Sequence, residues 1–189
     1  MLLYDLLIAA CWLLFIAYWA FMARGAKRSI GSYAWRKQLT LRLVIVLVAV
    51  MALRFPGVVQ ALRVIHGYTA DQLFGSIGTV ICGAGIGFAI WARTVLGRNW
   101  GMPMSRKQDP ELVTRGPYAY VRHPIYTGII FGMLGSAMAS TLLWVVPLLL
   151  SGSYFVYSAR QEEKLMLQQF PVQYPAYMQR TKMLLPFLY

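Results

Sequence analysis

The stretch that decides how this chain is read is Gly116-Pro117-Tyr118-Ala119-Tyr120-Val121-Arg122-His123-Pro124-Ile125-Tyr126-Thr127-Gly128. It gathers three tyrosines, an arginine and a histidine between two glycines. From Pro124 onward it runs into an apolar segment. Proline suits the first turn of a helix, where the missing N–H has no partner to lose. The first half therefore reads as a membrane boundary and the second as the start of a span. Polar and aromatic groups concentrated at such a boundary mark a functional region.

Outward from this stretch the chain is apolar. Of 189 residues, 59% are hydrophobic, against about 45–50% in a soluble domain. A crossing takes roughly 20 apolar residues, so the expected fold is an all-α polytopic membrane protein with about five transmembrane helices. The spans are placed at residues 3–23, 39–55, 72–96, 124–140 and 142–159. Residues 58–71 form a connection. Asp5, with no basic residue before it, argues for a first membrane helix rather than a signal peptide. The closing Pro186-Phe187-Leu188-Tyr189 is not a prenylation box. Trp12, Tyr18 and Trp19 suit interface anchors, although Trp12 falls mid-span.

Small residues recur in two spans. Gly75, Gly78, Gly83, Gly85 and Gly87 lie in the third, and Gly128, Gly132, Gly135, Ser136 and Ala139 in the fourth. Such spacing lets membrane helices approach closely. No polar linker separates the last two spans, which predicts a tight hairpin. Residues 161–169 read as a charged, amphipathic extension of the fifth span. Pro171 and Pro175 read as breakers, and residues 184–187 as a tail packing back on the membrane face. Residues 1–96 carry the first three spans, and residues 97–189 form the chemical core.

Charge gives the orientation. Six Lys/Arg lie in residues 24–42, six in 93–122 and four in 160–182, while the opposite side has only Arg54 and Arg63. The positive-inside rule then puts the N-terminus outside. The long polar loop 97–122, with Arg122 and His123, and the tail are cytoplasmic. The net charge of +12 follows from this topology, so no nucleic-acid partner is expected. Cys11 and Cys82 fall inside apolar runs and read as small buried side chains. With only two histidines in the chain, no metal site is expected.

The hairpin brings Arg122 and His123 near Arg160, Glu162 and Glu163 at one lip of the bilayer. An aromatic-lined pocket with a few placed charges suits a nucleoside cofactor. These residues also carry a resemblance. Leu112-Val113-Thr114, Gly116-Pro117-Tyr118, Tyr120, Arg122-His123-Pro124, Tyr126 and Gly128 are followed by a hairpin, Glu162-Glu163, and Phe170, Tyr174 and Tyr177. This pattern, with the earlier Leu96-Gly97-Arg98-Asn99-Trp100, resembles the isoprenylcysteine carboxyl methyltransferase family over the second half of the chain.

The resemblance implies an integral-membrane enzyme using S-adenosylmethionine, in a bacterial or archaeal inner membrane or an endoplasmic reticulum. It implies a cytoplasmic cofactor pocket built from Leu112, Val113, Tyr118, His123, Pro124, Tyr126 and Glu162. Its partners would be membrane lipids and a lipophilic, prenyl-like acceptor drawn from the bilayer. Many members carry an arginine four residues before the first glutamate; here that position is Ser158, and the nearest arginine is Arg160.

Read as chemistry, Tyr118 and Tyr126 can wall an adenine, His123 can bond its edge or the ribose, and Glu162 can pair with an ammonium. Arg122 or Arg98 can take a carboxylate. Arg160 and Glu163 are the candidate catalytic residues. An ionised carboxylate acceptor needs no base; an amine or thiol would need one from His123 or Glu163. Gly83-Ala84-Gly85 is similar to a Gly-x-Gly associated with phospholipid methyltransferases, though helix packing explains it more simply. Two alternatives stand beside the carboxyl methyltransferase: a phospholipid-amine or thiol methyltransferase of the same fold, and an NADPH-dependent enzyme like the membrane sterol reductases.

Overall fold

A run of apolar residues that cannot leave backbone groups unpaired in lipid folds as helix, and helices dominate the architecture. The computed structural model describes residues 2–23, 29–30, 72–100, 106–107, 111–140 and 142–185. The expected span 39–55 and the connection 58–71 lie outside the described residues. Helix α1 is Leu2–Ala23, α2 Gln72–Leu96, α3 Pro124–Ala139, α4 Val145–Gln169 and α5 Gln173–Arg180. The all-α expectation holds, with one small addition. Ser29–Ile30 and Arg106–Lys107 pair as a two-residue antiparallel ladder, Ser29 opposite Lys107 and Ile30 opposite Arg106.

Among the described residues two helical stretches are long and apolar enough to cross a membrane, Leu3–Met22 and Gln72–Leu96. Much of α1 faces outward: Leu3, Leu6, Leu13, Leu14, Ile16 and Phe21 are exposed. Its inner stripe is Ile8, Cys11, Trp12 and Phe15. Trp12 is not an interface anchor. It stacks on Trp144 at 5.3 Å and donates Nε1–H to Ser136 Oγ at 3.0 Å. A mid-span indole is kept only where its N–H finds a partner, and Ser136 supplies it.

Helices α1 and α2 run in the same direction. Near one end the Tyr4 hydroxyl meets Gln72 O at 3.1 Å and Ser76 Oγ at 3.2 Å; near the other, the hydroxyls of Tyr18 and Thr94 are 2.6 Å apart. Arg93 closes that second end. Its buried guanidinium donates to Gly97 O at 2.7 Å and Met22 O at 2.9 Å, with the Trp100 ring 4.6 Å away.

Helices α2 and α3 are antiparallel and touch backbone to backbone. A Cβ added at Gly78 would lie 2.6 Å from Gly135 O, and one at Gly85 would lie 2.6 Å from Gly132 N. The small-residue reading holds for these positions. Gly83 and Gly87 face away, with nothing within 4 Å of an added Cβ.

The chain then turns through Ser140 and a short 3-10 turn, Leu142–Trp144, into α4. The predicted hairpin is present, and α4 continues unbroken through Gln169. Pro147 sits in its first turn, where it removes no helical bond. Pro171 lies just beyond its end. Pro175 does not act as a breaker: it occupies the first turn of α5, and Tyr174 N–H bonds Phe170 O at 3.0 Å. The described part of the tail folds back, and residues 186–187 of the expected run lie outside the described residues. Met183 and Leu184 are buried with Ala159, against Tyr126, Ile130 and Val156.

Candidate functional site

The site is assembled where the quoted stretch meets the far end of α4. Gly116 starts it. Its φ is +61°, and a Cβ there would lie 3.1 Å from Val95 Cγ2. A left-handed backbone under a packed valine calls for glycine. The following 3-10 turn, Gly116–Ala119, buries Pro117 and Tyr118. The Tyr118 carbonyl accepts a hydrogen bond from the Tyr177 hydroxyl at 2.5 Å.

The next three residues pair with the tail. Val121 bridges Lys182 in parallel, Arg122 N–H donates to Lys182 O at 2.8 Å, and His123 N–H donates to Met183 O at 3.1 Å. Thr127 Oγ1 donates to Leu184 O at 2.6 Å. The tail thus satisfies backbone groups that α3 leaves open at its start.

Arg122 is the clamp. Its Nε donates to Glu163 Oε1 at 2.6 Å, with the two side chains only 10% and 11% exposed. Its Nη1 donates to Thr181 O at 2.5 Å and, more weakly, to Met178 O at 3.4 Å. One guanidinium therefore joins the start of α3, the inner face of α4 and the end of α5.

His123 caps α3 and lies between two carboxylates. Nδ1 is 3.6 Å from Glu162 Oε2, and Nε2 is 3.4 Å from Glu163 Oε1. Nε2 is buried and closes no hydrogen bond among the described residues. The imidazole stacks on Tyr126 at 5.6 Å and 6°, and Tyr126 stacks on Phe155 at 4.6 Å and 10°. The Tyr126 hydroxyl donates to Glu162 Oε1 at 2.5 Å. Tyr126 thus stacks with both His123 and Phe155 while its hydroxyl is committed to Glu162.

Burial is the largest influence on the Glu163 carboxyl and pushes it up. The contacts with His123 and Arg122 outweigh it and hold Glu163 below the ordinary carboxylate value. Burial pushes the Tyr177 phenol up to about 12 and raises Tyr118 further. Tyr177 therefore stays a neutral donor to the Tyr118 carbonyl at physiological pH.

The structure brings together Arg122, His123, Pro124, Tyr126, Glu162 and Glu163. Tyr118 is buried, and its carbonyl is bonded by Tyr177. Leu112 and Val113 are half-buried in the extended stretch before the turn. Arg160 is exposed on α4, on the same outer stripe as exposed Tyr157 and Lys164, whereas Phe155, Ser158, Glu162 and Glu163 point inward. The Arg98 side chain lies outside the described residues. Sequence reading missed Phe155 and Ser158; their spacing to Glu162, seven and four residues, places all three on one helical face.

A family model described as phospholipid methyltransferase matches residues 74–173, which covers α2, α3, α4 and the turns between them. The chain belongs to the phospholipid methyltransferase family. Two curated relatives of this phospholipid methyltransferase-family chain align over 96 residues, 49% of it. The cobalt-zinc-cadmium resistance protein CzcN of Cupriavidus metallidurans is 32% identical over 44% of its own length. The nickel-cobalt-cadmium resistance protein NccN of Alcaligenes xylosoxydans xylosoxydans is 31% identical over 45% of its own. The chain thus spans less than half of either relative.

Among solved structures, the eukaryotic intramembrane Ras methyltransferase, an isoprenylcysteine carboxyl methyltransferase, matches with a TM-score of 0.55 and 27% identity. The match covers 84% of this chain and 55% of that one. Family and fold are those of integral membrane proteins, as the motif resemblance implied.

Proposed function

We propose that this protein is a multi-pass membrane methyltransferase that moves a methyl group from S-adenosylmethionine to a lipophilic acceptor. Membership of the phospholipid methyltransferase family and likeness to an intramembrane methyltransferase support the reaction class. The observation that carries the reading is the Glu162 carboxylate held at the edge of the His123–Tyr126–Phe155 column. Its side chain keeps 26% exposure, and its Oε2 has His123 Nδ1 as a neighbour only at 3.6 Å. A carboxylate beside aromatic rings suits a ligand that carries an ammonium and a sulfonium.

The residues fit S-adenosylmethionine on a second count. His123 Nε2 is buried without a hydrogen-bond partner among the described residues, a state that a ligand polar atom would relieve. When bound, the cofactor supplies an electrophilic methyl group. In this reading Glu162 takes its ammonium through Oε2, and His123 is held in place by stacking and by its two carboxylate neighbours. The tail pairs with Arg122 and His123 and packs on Tyr126, which holds this side of the site in place. Leu112, Val113, Tyr118 and Pro124 shape the walls. Arg122 serves through the Glu163 clamp rather than by meeting ligand.

The acceptor proposed first is an isoprenylcysteine-type carboxylate, ionised at about pH 3.5 and above, so that alignment alone brings the reaction about. Arg160, exposed on α4, is the cation proposed to draw such a group in from lipid. An amine acceptor is the second reading. It is favoured by the family description, and His123 or Glu163 would take the proton. Parallel α1 and α2 support an intervening return crossing, and the charge asymmetry supports a cytoplasmic site.

Membranes holding the protein, given methyl-labelled S-adenosylmethionine and either a prenylcysteine or an aminolipid, should pass label into the lipid extract of one of them. Glu162→Gln should abolish that transfer. Label in neither extract, or full transfer by Glu162→Gln, refutes the proposal.

A further inference from the structure

Hydroxyl side chains inside membrane helices commonly fold back onto the carbonyl one turn earlier. This chain follows that habit repeatedly. Ser76 donates to Gln72 O, Thr79 to Gly75 O, Thr94 to Ile90 O and Ser136 to Gly132 O, each at 2.8 Å. Ser158 instead donates forward, to Glu162 Oε1 at 2.9 Å. It is wholly buried, so its bond is sheltered from competing water.

The Tyr126 hydroxyl donates to the same oxygen at 2.5 Å and lies 3.2 Å from Ser158 Oγ. Each hydroxyl has one proton, and both protons go to the carboxylate. The Tyr126–Ser158 approach is therefore contact between two oxygens rather than a third bond. Glu162 Oε1 is occupied by two donors from two helices, and Oε2 is left to face His123 and the exposed side. A carboxylate on a flexible side chain would otherwise rotate, and a ligand cation would have to order it on binding.

We infer that Ser158 is a positioning residue: together with Tyr126 it fixes Glu162 by Oε1 and presents Oε2 alone to the ammonium of the bound cofactor. This rests on the proposed use of S-adenosylmethionine. It assigns Ser158 no contact with ligand; its effect passes through Glu162. Such a role has a signature that simple packing lacks. Removing the hydroxyl should weaken only ligands that carry the ammonium.

The test is calorimetric titration of purified full-chain protein with two probes. S-adenosylhomocysteine carries the amino-acid portion, and methylthioadenosine keeps the nucleoside and thioether without it. Ser158→Ala should bind S-adenosylhomocysteine about tenfold more weakly, as fits loss of one charge-assisted hydrogen bond, and bind methylthioadenosine as the wild type does. Tyr126→Phe, which removes the other donor but keeps the ring, should show the same split and carries the test if Ser158→Ala fails to fold. Equal loss for both probes, or no loss for either, overturns the inference. Wild-type protein that binds neither probe overturns the cofactor reading itself, a distinct result.

Discussion

Arg122→Ala should loosen the end of the molecule where α3 begins and α4 and α5 end. The substitution deletes the 2.6 Å bond to Glu163 Oε1 and the bonds to Thr181 O and Met178 O. It also strands Glu163, 11% exposed, as a buried carboxylate without its cation. Breaking one partner of a buried ion pair costs about 3–5 kcal/mol, largely because the other charge stays uncompensated. For a chain of this size that corresponds to a melting temperature lower by about 6–20 °C. Thermal unfolding of detergent-purified protein measures it. Glu163→Gln placed on Arg122→Ala should recover part of the loss, because the stranded charge is then gone. Arg122→Ala melting within about 2 °C of wild type, or a double variant no better than the single, would refute the clamp.

Two further outcomes follow from the geometry. Gly85→Ala drives a Cβ to 2.6 Å from Gly132 N and should cost about 1–3 kcal/mol. Gly83→Ala meets nothing within 4 Å and should melt at or slightly above wild type. Because Glu163 sits below its ordinary value in the fold, its contribution is present above the unfolded carboxyl value of about 4.3. That contribution is lost as pH falls through the lower folded value. A pH series of melting curves should therefore show an acid-side loss of stability that is smaller in Glu163→Gln.

Much of this was legible in the sequence because it rests on local chemistry. Hydropathy located α1 and α2, and Pro124 marked the first residue of α3. The missing linker after Ser140 gave the hairpin, and hairpin geometry then brought His123 and Tyr126 to Glu162. What the sequence hid depends on distant partners. Pro175 reads as a breaker until a first turn accommodates it. Trp12 reads as an anchor until Ser136 and Trp144 meet it across the bundle. Arg122 reads as a ligand-binding cation, and only the fold shows its Nε and Nη1 committed to Glu163 and the carbonyls before the tail. Ser158 stood out merely as a missing arginine: its spacing puts it on the face of Glu162, but a helical serine commonly bonds back to the preceding turn instead.

In the proposed reading S-adenosylmethionine binds beside Glu162. Titrating purified wild-type protein in detergent with S-adenosylhomocysteine and, separately, with NADPH tests it most directly. Saturable heat with S-adenosylhomocysteine and none with NADPH is the predicted result. Heat with NADPH alone, or silence with both, would rule out S-adenosylmethionine as the ligand.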